Sequence, residues 1–214
     1  MINVAVIDYG MGNLRSVLNS VEAVNDGSAR IELPRDPDVV LRADKVVFPG
    51  QGAMPDCMRE LHACGMAEAV LESTRNKPFF GICVGAQLLF DSSEEGDTPG
   101  LGLFRGKVKR FADGMRDAAG ARLKVPHMGW NRVMQTRPHP MFAGIEDGER
   151  FYFVHSYYFA PEDPALTLGE SEYPERFSCI VGCENVFATQ FHTEKSHRAG
   201  LQMMKNFLAW DGTV

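Results

Sequence analysis

Between Phe79 and Phe90 the chain reads Phe-Phe-Gly-Ile-Cys-Val-Gly-Ala-Gln-Leu-Leu-Phe, an apolar strand that gives way to a helix at a cysteine between two glycines. A residue held on such a sharp strand-to-helix turn points into solvent. The positions two residues either side must be small, because the backbone passes close to itself. Gly81 and Gly85 meet that need. A thiol at the first turn of a helix also faces unpaired amides and the positive end of the helix dipole, which favour the thiolate. Cys83 therefore reads as the nucleophile of an elbow, with a buried structural cysteine as the alternative.

A base and its orienter lie near the C-terminus, in Phe187-Ala188-Thr189-Gln190-Phe191-His192-Thr193-Glu194-Lys195. In extended backbone, residues two apart project from one face, so Glu194 is expected to accept a hydrogen bond from one ring nitrogen of His192 while the other faces Cys83. Nucleophile, base and orienter then follow in the order Cys, His, Glu. A His and a Glu at this spacing also occur by chance on solvated strands. A third segment, Val46 to Ala53, runs an apolar strand into Gly50-Gln51-Gly52. Acyl transfer needs donors for a developing oxyanion, and an elbow draws them from the residue after the nucleophile and from a neighbouring strand-end loop. Val84 N–H and a backbone N–H at Gln51 are the candidates, against an ordinary glycine turn.

Along the first part, strand and helix alternate: strands at 2–8, 45–49 and 78–82, helices at 13–25, after Pro55 and at 84–91. Leu14, Val17, Leu18, Val21 and Val24 keep helical spacing. Such alternation implies parallel strands with crossover helices. From about residue 100 strands follow one another, including 150–159, 178–183 and 186–191, before a closing helix at 196–209. The expected fold is α/β, a mostly parallel central sheet with flanking helices and an antiparallel extension. With 214 residues, 44% of them hydrophobic, one domain spanning 1–214 is expected.

A net charge of −6 argues against a nucleic-acid partner. No segment has the length of a membrane span and the start lacks a basic flank or cleavage site, so a cytoplasmic location is expected. Five cysteines do not read as a disulfide framework. Cys57 and Cys64 on a helix, and Cys179 and Cys183 on a strand, are spaced about 10 Å and 13 Å apart, too far to share a zinc ion. No metal is expected. Gly10-Met11-Gly12-Asn13-Leu14-Arg15 starts like a dinucleotide fingerprint but has Arg15 where the third glycine is needed. No cofactor is expected either.

Together, Gly81 to Gln87, Pro49 to Gly52 and His192 to Glu194 resemble the triad-type glutamine amidotransferase family. Asp8-Tyr9-Gly10-Met11-Gly12-Asn13-Leu14, Ser93 to Gly96, Gly100 to Leu103, His127-Met128-Gly129-Trp130-Asn131 and Phe151 to Tyr157 are similar, more narrowly, to the glutaminase subunits of imidazole glycerol phosphate synthases in histidine biosynthesis. One departure is visible: Thr193 stands where the family usually has proline, which would hold the segment more firmly.

The resemblance implies hydrolysis of L-glutamine to glutamate and ammonia through Cys83, His192 and Glu194. It implies a substrate site formed by Gly50, Gly52, Gln87, Glu95, Ser156 and Tyr157, with Glu95 suited to the α-ammonium and the backbone near Ser156 and Tyr157 to the α-carboxylate. Helical spacing independently lets Gln87 face the pocket of Cys83. His155 is left as a structural histidine. One domain has no room to use the ammonia, so the acceptor chemistry is expected on another chain. By resemblance that partner is the cyclase subunit, a (β/α)₈ barrel, met through Asn13, Trp130, Asn131, Tyr152 and Lys195. For Trp130 and Tyr152, core packing is the alternative. Lys195, next to Glu194 in extended backbone, is expected to point away from the catalytic face. A same-fold glutaminase serving another synthase, or an inactive interaction module, remain the rival functions.

Overall fold

The computed structural model describes residues 1–214. The chain opens with β1 (Ile2–Val6), α1 (Leu14–Val24), β2 (Ala29–Glu32), α2 (Pro37–Arg42), β3 (Lys45–Gly50), α3 (Met54–Ala63) and α4 (Met66–Asn76). The elbow follows as β4 (Phe79–Cys83) and α5 (Val84–Gln87). Then come β5 (Phe90–Ser93), β6 (Thr98–Pro99), β7 (Phe104–Arg110), β8 (His127–Arg132) and β9 (Met134–Gln135). The last part holds β10 (Arg150–His155), β11 (Tyr157–Pro161), β12 (Thr167–Glu172), β13 (Arg176–Cys183), β14 (Val186–Thr189) and α6 (His197–Ala209).

A twelve-stranded sheet runs β2-β1-β3-β4-β14-β13-β11-β7-β5-β6, with β12 and β9 branching from β13. Its first five strands are mutually parallel, and β14, β13, β11 and β7 then alternate in direction. Every residue of β3 and β4 is buried, as expected of central parallel strands covered on both faces, and this explains their unbroken apolar runs. β8 and β10 stand apart as a two-stranded ribbon. One contiguous core of 52 buried residues extends through both halves of the sheet. No helix is long and apolar enough to cross a membrane, and no three His, Cys, Asp or Glu side chains are placed to share a metal ion.

Three local readings need correction. The helix expected over 84–91 ends at Gln87, and Phe90 pairs with Phe104 as a strand; a short apolar run such as Leu88 to Phe90 satisfies either period. The strand expected over 150–159 breaks at Ser156, where the chain leaves the ribbon for the main sheet. β2 and α2 were not expected. Arg30 and Glu32 weaken the apolar signal of β2, an edge strand, whereas Asp36, whose side chain accepts from Asp38 N, and Pro37 at the first position mark the start of α2.

The closing helix is anchored at its far end by buried Lys45, whose Nζ donates to the carbonyls of Phe207, Leu208 and Trp210. That cation meets the carbonyl-rich end of the helix. Its other end begins immediately after Ser196, so α6 helps hold the segment carrying His192 and Glu194.

Candidate active site

Strand register brings the three sequence segments to one place. Gly50 pairs with Cys83, and Thr189 pairs with Ile82, so the C-terminal ends of β3, β4 and β14 lie level with one another. Cys83 itself has φ +55° and ψ −117°, a conformation costing about 1–3 kcal/mol that persists where the surroundings impose it. The surroundings here are two glycine contacts. A Cβ on Gly85 would lie 2.1 Å from Phe48 O, and one on Gly50 would lie 2.3 Å from Gly85 N. The elbow and β3 are thus in backbone contact, which brings Gln51 and Gly52 beside the thiol.

His192 Nδ1 lies 2.8 Å from Glu194 Oε1, with both side chains buried. The pairing expected from the sequence is present, but its cause is different. Residues Thr193–Lys195 form a 3₁₀ turn rather than extended chain. His192 N donates to Tyr152 O, Ser196 Oγ donates to His192 O, and Tyr152 N donates to Ser196 Oγ. These bonds close the turn against β10. Thr193 takes the first position of the turn and its buried hydroxyl has no hydrogen-bond partner. Proline suits that position and removes the stranded hydroxyl. Thr193→Pro is expected to raise thermal stability by about 0.5–1 kcal/mol, checked by calorimetry of the two proteins.

Burial is the largest influence on the His192 ring and opposes its charging. The charge and hydrogen bonding of Cys83, and then of Glu194, outweigh it and push the pKa up to about 10 from 6.5. A folded-state value above the free one means that this attraction stabilises the fold fully below about 6.5 and is lost as pH rises through about 10. Cys83→Ala removes the foremost favourable influence, leaving burial less opposed. Nitrogen-15 NMR is expected to show a substantially lower His192 pKa in that variant; an unchanged value would separate the ring from the thiol.

A cavity of about 330 Å³ opens over Cys83 and His192, with Gln51, Gly52, Val84, Gln87, Glu95, Ser156, Tyr157 and Lys195 in its wall. Gln87 is buried, and its amide donates to Gln190 Oε1 at 3.0 Å and approaches Tyr157 O at 3.5 Å. Glu95 Oε2 accepts from Met54 N at 2.8 Å, at the start of α3. Gly50, expected at the substrate, does not line the cavity; its contact is with the elbow behind it. Lys195, expected to point away, lines the cavity instead, because the 3₁₀ turn replaces strand alternation. Gln190 was not singled out in the sequence, yet it is fully buried with Nε2 3.9 Å from Cys83 Sγ.

The remaining positions lie around the rim. Asn13 precedes α1 and makes no side-chain cap, and its neighbour Gly12 sits against the Gly50–Gln51 peptide. On the ribbon, Tyr152 is the cross-strand partner of Trp130, and Val154 that of Met128. Trp130 is 39% exposed and stacks on His197 with centroids 4.9 Å apart. Plain core packing does not describe it. Met128, 63% exposed, was overlooked, although strict in-and-out alternation through His127–Arg132 would have placed it beside Trp130. Asn131 faces the other way, donating to Glu172 O at 2.9 Å.

Residues 5–210 match the family described as glutamine amidotransferase class-I. Among solved structures, one described as a glutamine amidotransferase superposes with a TM-score of 0.71 at 17% identity, covering 96% of this chain and 97% of that one. PurLQS from Thermotoga maritima superposes with a TM-score of 0.66 at 18% identity, covering 98% and 99%. At such identities these two show the fold alone. Elbow, fold and profile define the class, a class-I glutamine amidotransferase. Among curated relatives, imidazole glycerol phosphate synthase subunit HisH of Chromobacterium violaceum is 77% identical over 99% of both chains, and that of Neisseria gonorrhoeae is 67% identical over 96% of this chain and 99% of the other. The chain belongs to the HisH family of glutaminase subunits.

Proposed function

We propose that residues 1–214 act as one glutaminase domain whose nucleophile, base and orienter are Cys83, His192 and Glu194. The observation that carries this reading is their convergence at one cavity, with Cys83 on a strained elbow and Glu194 bonded to His192 at 2.8 Å. In this mechanism the Cys83 thiolate attacks the side-chain amide carbon of glutamine. His192 gives its proton to the departing nitrogen, ammonia leaves, and a γ-glutamyl thioester remains. Water then gives a proton to His192 as its oxygen attacks the thioester, and glutamate is released with the thiolate restored. Glu194 holds the ring so that its other nitrogen serves this proton transfer. The N–H groups of Val84 and Gln51 are the donors assigned to the oxyanion. Glu95, with one carboxylate oxygen not engaged by the protein, suits the α-ammonium.

The ammonia is assigned to a cyclase subunit, because the relatives are named as subunits of imidazole glycerol phosphate synthase. Next to the cavity the ribbon presents Met128, Trp130, Tyr152 and Val154 outward, an apolar face flanked by Lys195 and suited to an interface core and its edge. The test is co-purification with the cyclase, followed by assay of glutamine-dependent formation of imidazole glycerol phosphate. Lys195→Ala is expected to leave Cys83 reactive toward a glutamine-like alkylating agent in the isolated chain, while weakening subunit affinity or cyclase stimulation about tenfold. Unchanged affinity and stimulation would leave Lys195 outside the interface.

A further inference from the structure

At the cavity the ribbon passes into the main sheet through a single residue. β10 ends at His155, Ser156 turns, and β11 begins at Tyr157. This corner and His155 itself form part of the cavity wall, and buried His127 stands behind His155. His127 and His155 are direct cross-strand partners. His155 Nδ1 lies 2.7 Å from Tyr157 O, His155 Nε2 lies 2.8 Å from His127 Nδ1, and His127 Nε2 lies 3.4 Å from Asn131 Nδ2.

The direction of this chain follows from its ends. A carbonyl oxygen can only accept, so His155 carries its proton on Nδ1 and leaves Nε2 as acceptor. His127 must then donate from Nδ1 and accept at Nε2. At the far end, Asn131 Oδ1 accepts from Arg132 N at 2.8 Å and its Nδ2 donates to Glu172 O, so the amide presents a donor to His127. Both ends therefore demand the same tautomer of both rings. A second proton on either ring would set two donors against each other or against the Asn131 amide. Burial keeps both rings neutral, pushing His155 down to about 3 and His127 to about 4. Tyr173 stacks on His127 at 4.0 Å, and Phe111 meets the His155 ring edge at 5.1 Å. Rotation of either ring would disturb this packing.

We propose that His155, backed by His127 and Asn131, is a positioning residue that sets the direction of the Ser156–Tyr157 backbone in the glutamine pocket, and so governs substrate binding rather than the chemical step. This rests on assigning the cavity to glutamine. His155 touches none of the reacting atoms in this scheme. Its bond to Tyr157 O fixes the peptide that Gln87 also approaches, and without it this part-buried carbonyl would keep only the longer Gln87 contact, leaving the corner less firmly held.

The test compares His155→Phe, which retains ring packing without a donor, with His155→Asn, whose amide can replace Nδ1–H, in the complex with cyclase. His155→Phe is expected to raise KM for glutamine about tenfold or more while kcat changes less than about threefold, and His155→Asn to recover most of the loss. The ammonia-dependent reaction should be unaffected. Nitrogen-15 NMR of the unsubstituted complex is expected to show both rings as neutral Nδ1–H tautomers from pH 5 to 8. An Nε2–H tautomer at either ring, an unchanged KM in His155→Phe, or equal loss of kcat in both variants would overturn the proposal. If the unsubstituted complex released no glutamate from glutamine, the assignment of the cavity would fail instead, while the tautomers would still test the hydrogen-bond chain.

Discussion

Cys83→Ala is expected to reduce glutamine-dependent product formation to background, a loss on the order of ten-thousandfold or more, while the complex with cyclase still forms product from free ammonia. The side chain is small and the replacement keeps Cβ, so β3, β4 and the cavity should persist. What disappears is the only side-chain nucleophile in the proposed mechanism. His192 cannot replace it, because its role there is to move protons between leaving nitrogen and attacking water. In the proposed assembly the acceptor chemistry lies on the other subunit and sees only ammonia. Steady-state rates with each nitrogen source make the comparison, and a variant that used glutamine as well as the parent would remove Cys83 from the mechanism.

A second large effect is expected from Gly85→Ala, which adds one methyl group two residues from Cys83. The new Cβ would meet Phe48 O at 2.1 Å. Both partners are backbone, and β3 is buried throughout, so no side chain can swing aside. Either the elbow leaves β3 or β3 leaves the sheet. A cost on the order of 4 kcal/mol or more follows, with loss of Cys83 reactivity in whatever protein still folds. Gly81→Ala provides the scale. Its Cβ would lie 3.2 Å from Ala188 Cβ and from Ala86 Cα, close but relievable by small shifts, at about 1–2 kcal/mol. Chemical denaturation of both variants checks the order; equal stabilities would mean that the close approach at Gly85 does not hold the elbow.

These two glycines show what was legible in the sequence. A Gly-x-Cys-x-Gly pattern after an apolar strand has few conformations open to it, and the positive φ of Cys83 follows from chain geometry. The buried strands were equally readable, since β4 is apolar throughout and β3 is apolar after Lys45. Lys195 shows where such reasoning fails. Period-two alternation was applied to His192, Thr193 and Glu194, but the chain there is turned by Ser196 bonding back to His192 O and by the close approach of α6 at Gly200. The Ser196 bond spans only four residues, but the approach of α6 has no signature within the segment itself. The His192–Glu194 bond was anticipated for the wrong reason, and Lys195 consequently received the wrong side. The hydrogen-bond partners of His155 were hidden for the same kind of reason. Its pairing with His127, 28 residues away, depends on ribbon register, and only the break at Ser156 brings it back onto Tyr157.

The most direct test of the central claim uses glutamine labelled with nitrogen-15 in its side-chain amide, supplied to the complex of this chain with cyclase and the cyclase substrate. The fate of the label is followed by mass spectrometry, together with the amount of glutamate released. The expected result is one labelled nitrogen in each imidazole glycerol phosphate formed, matched by one glutamate, with both lost in Cys83→Ala. Glutamate release that persists in Cys83→Ala, or product formed from glutamine without the label, would contradict it.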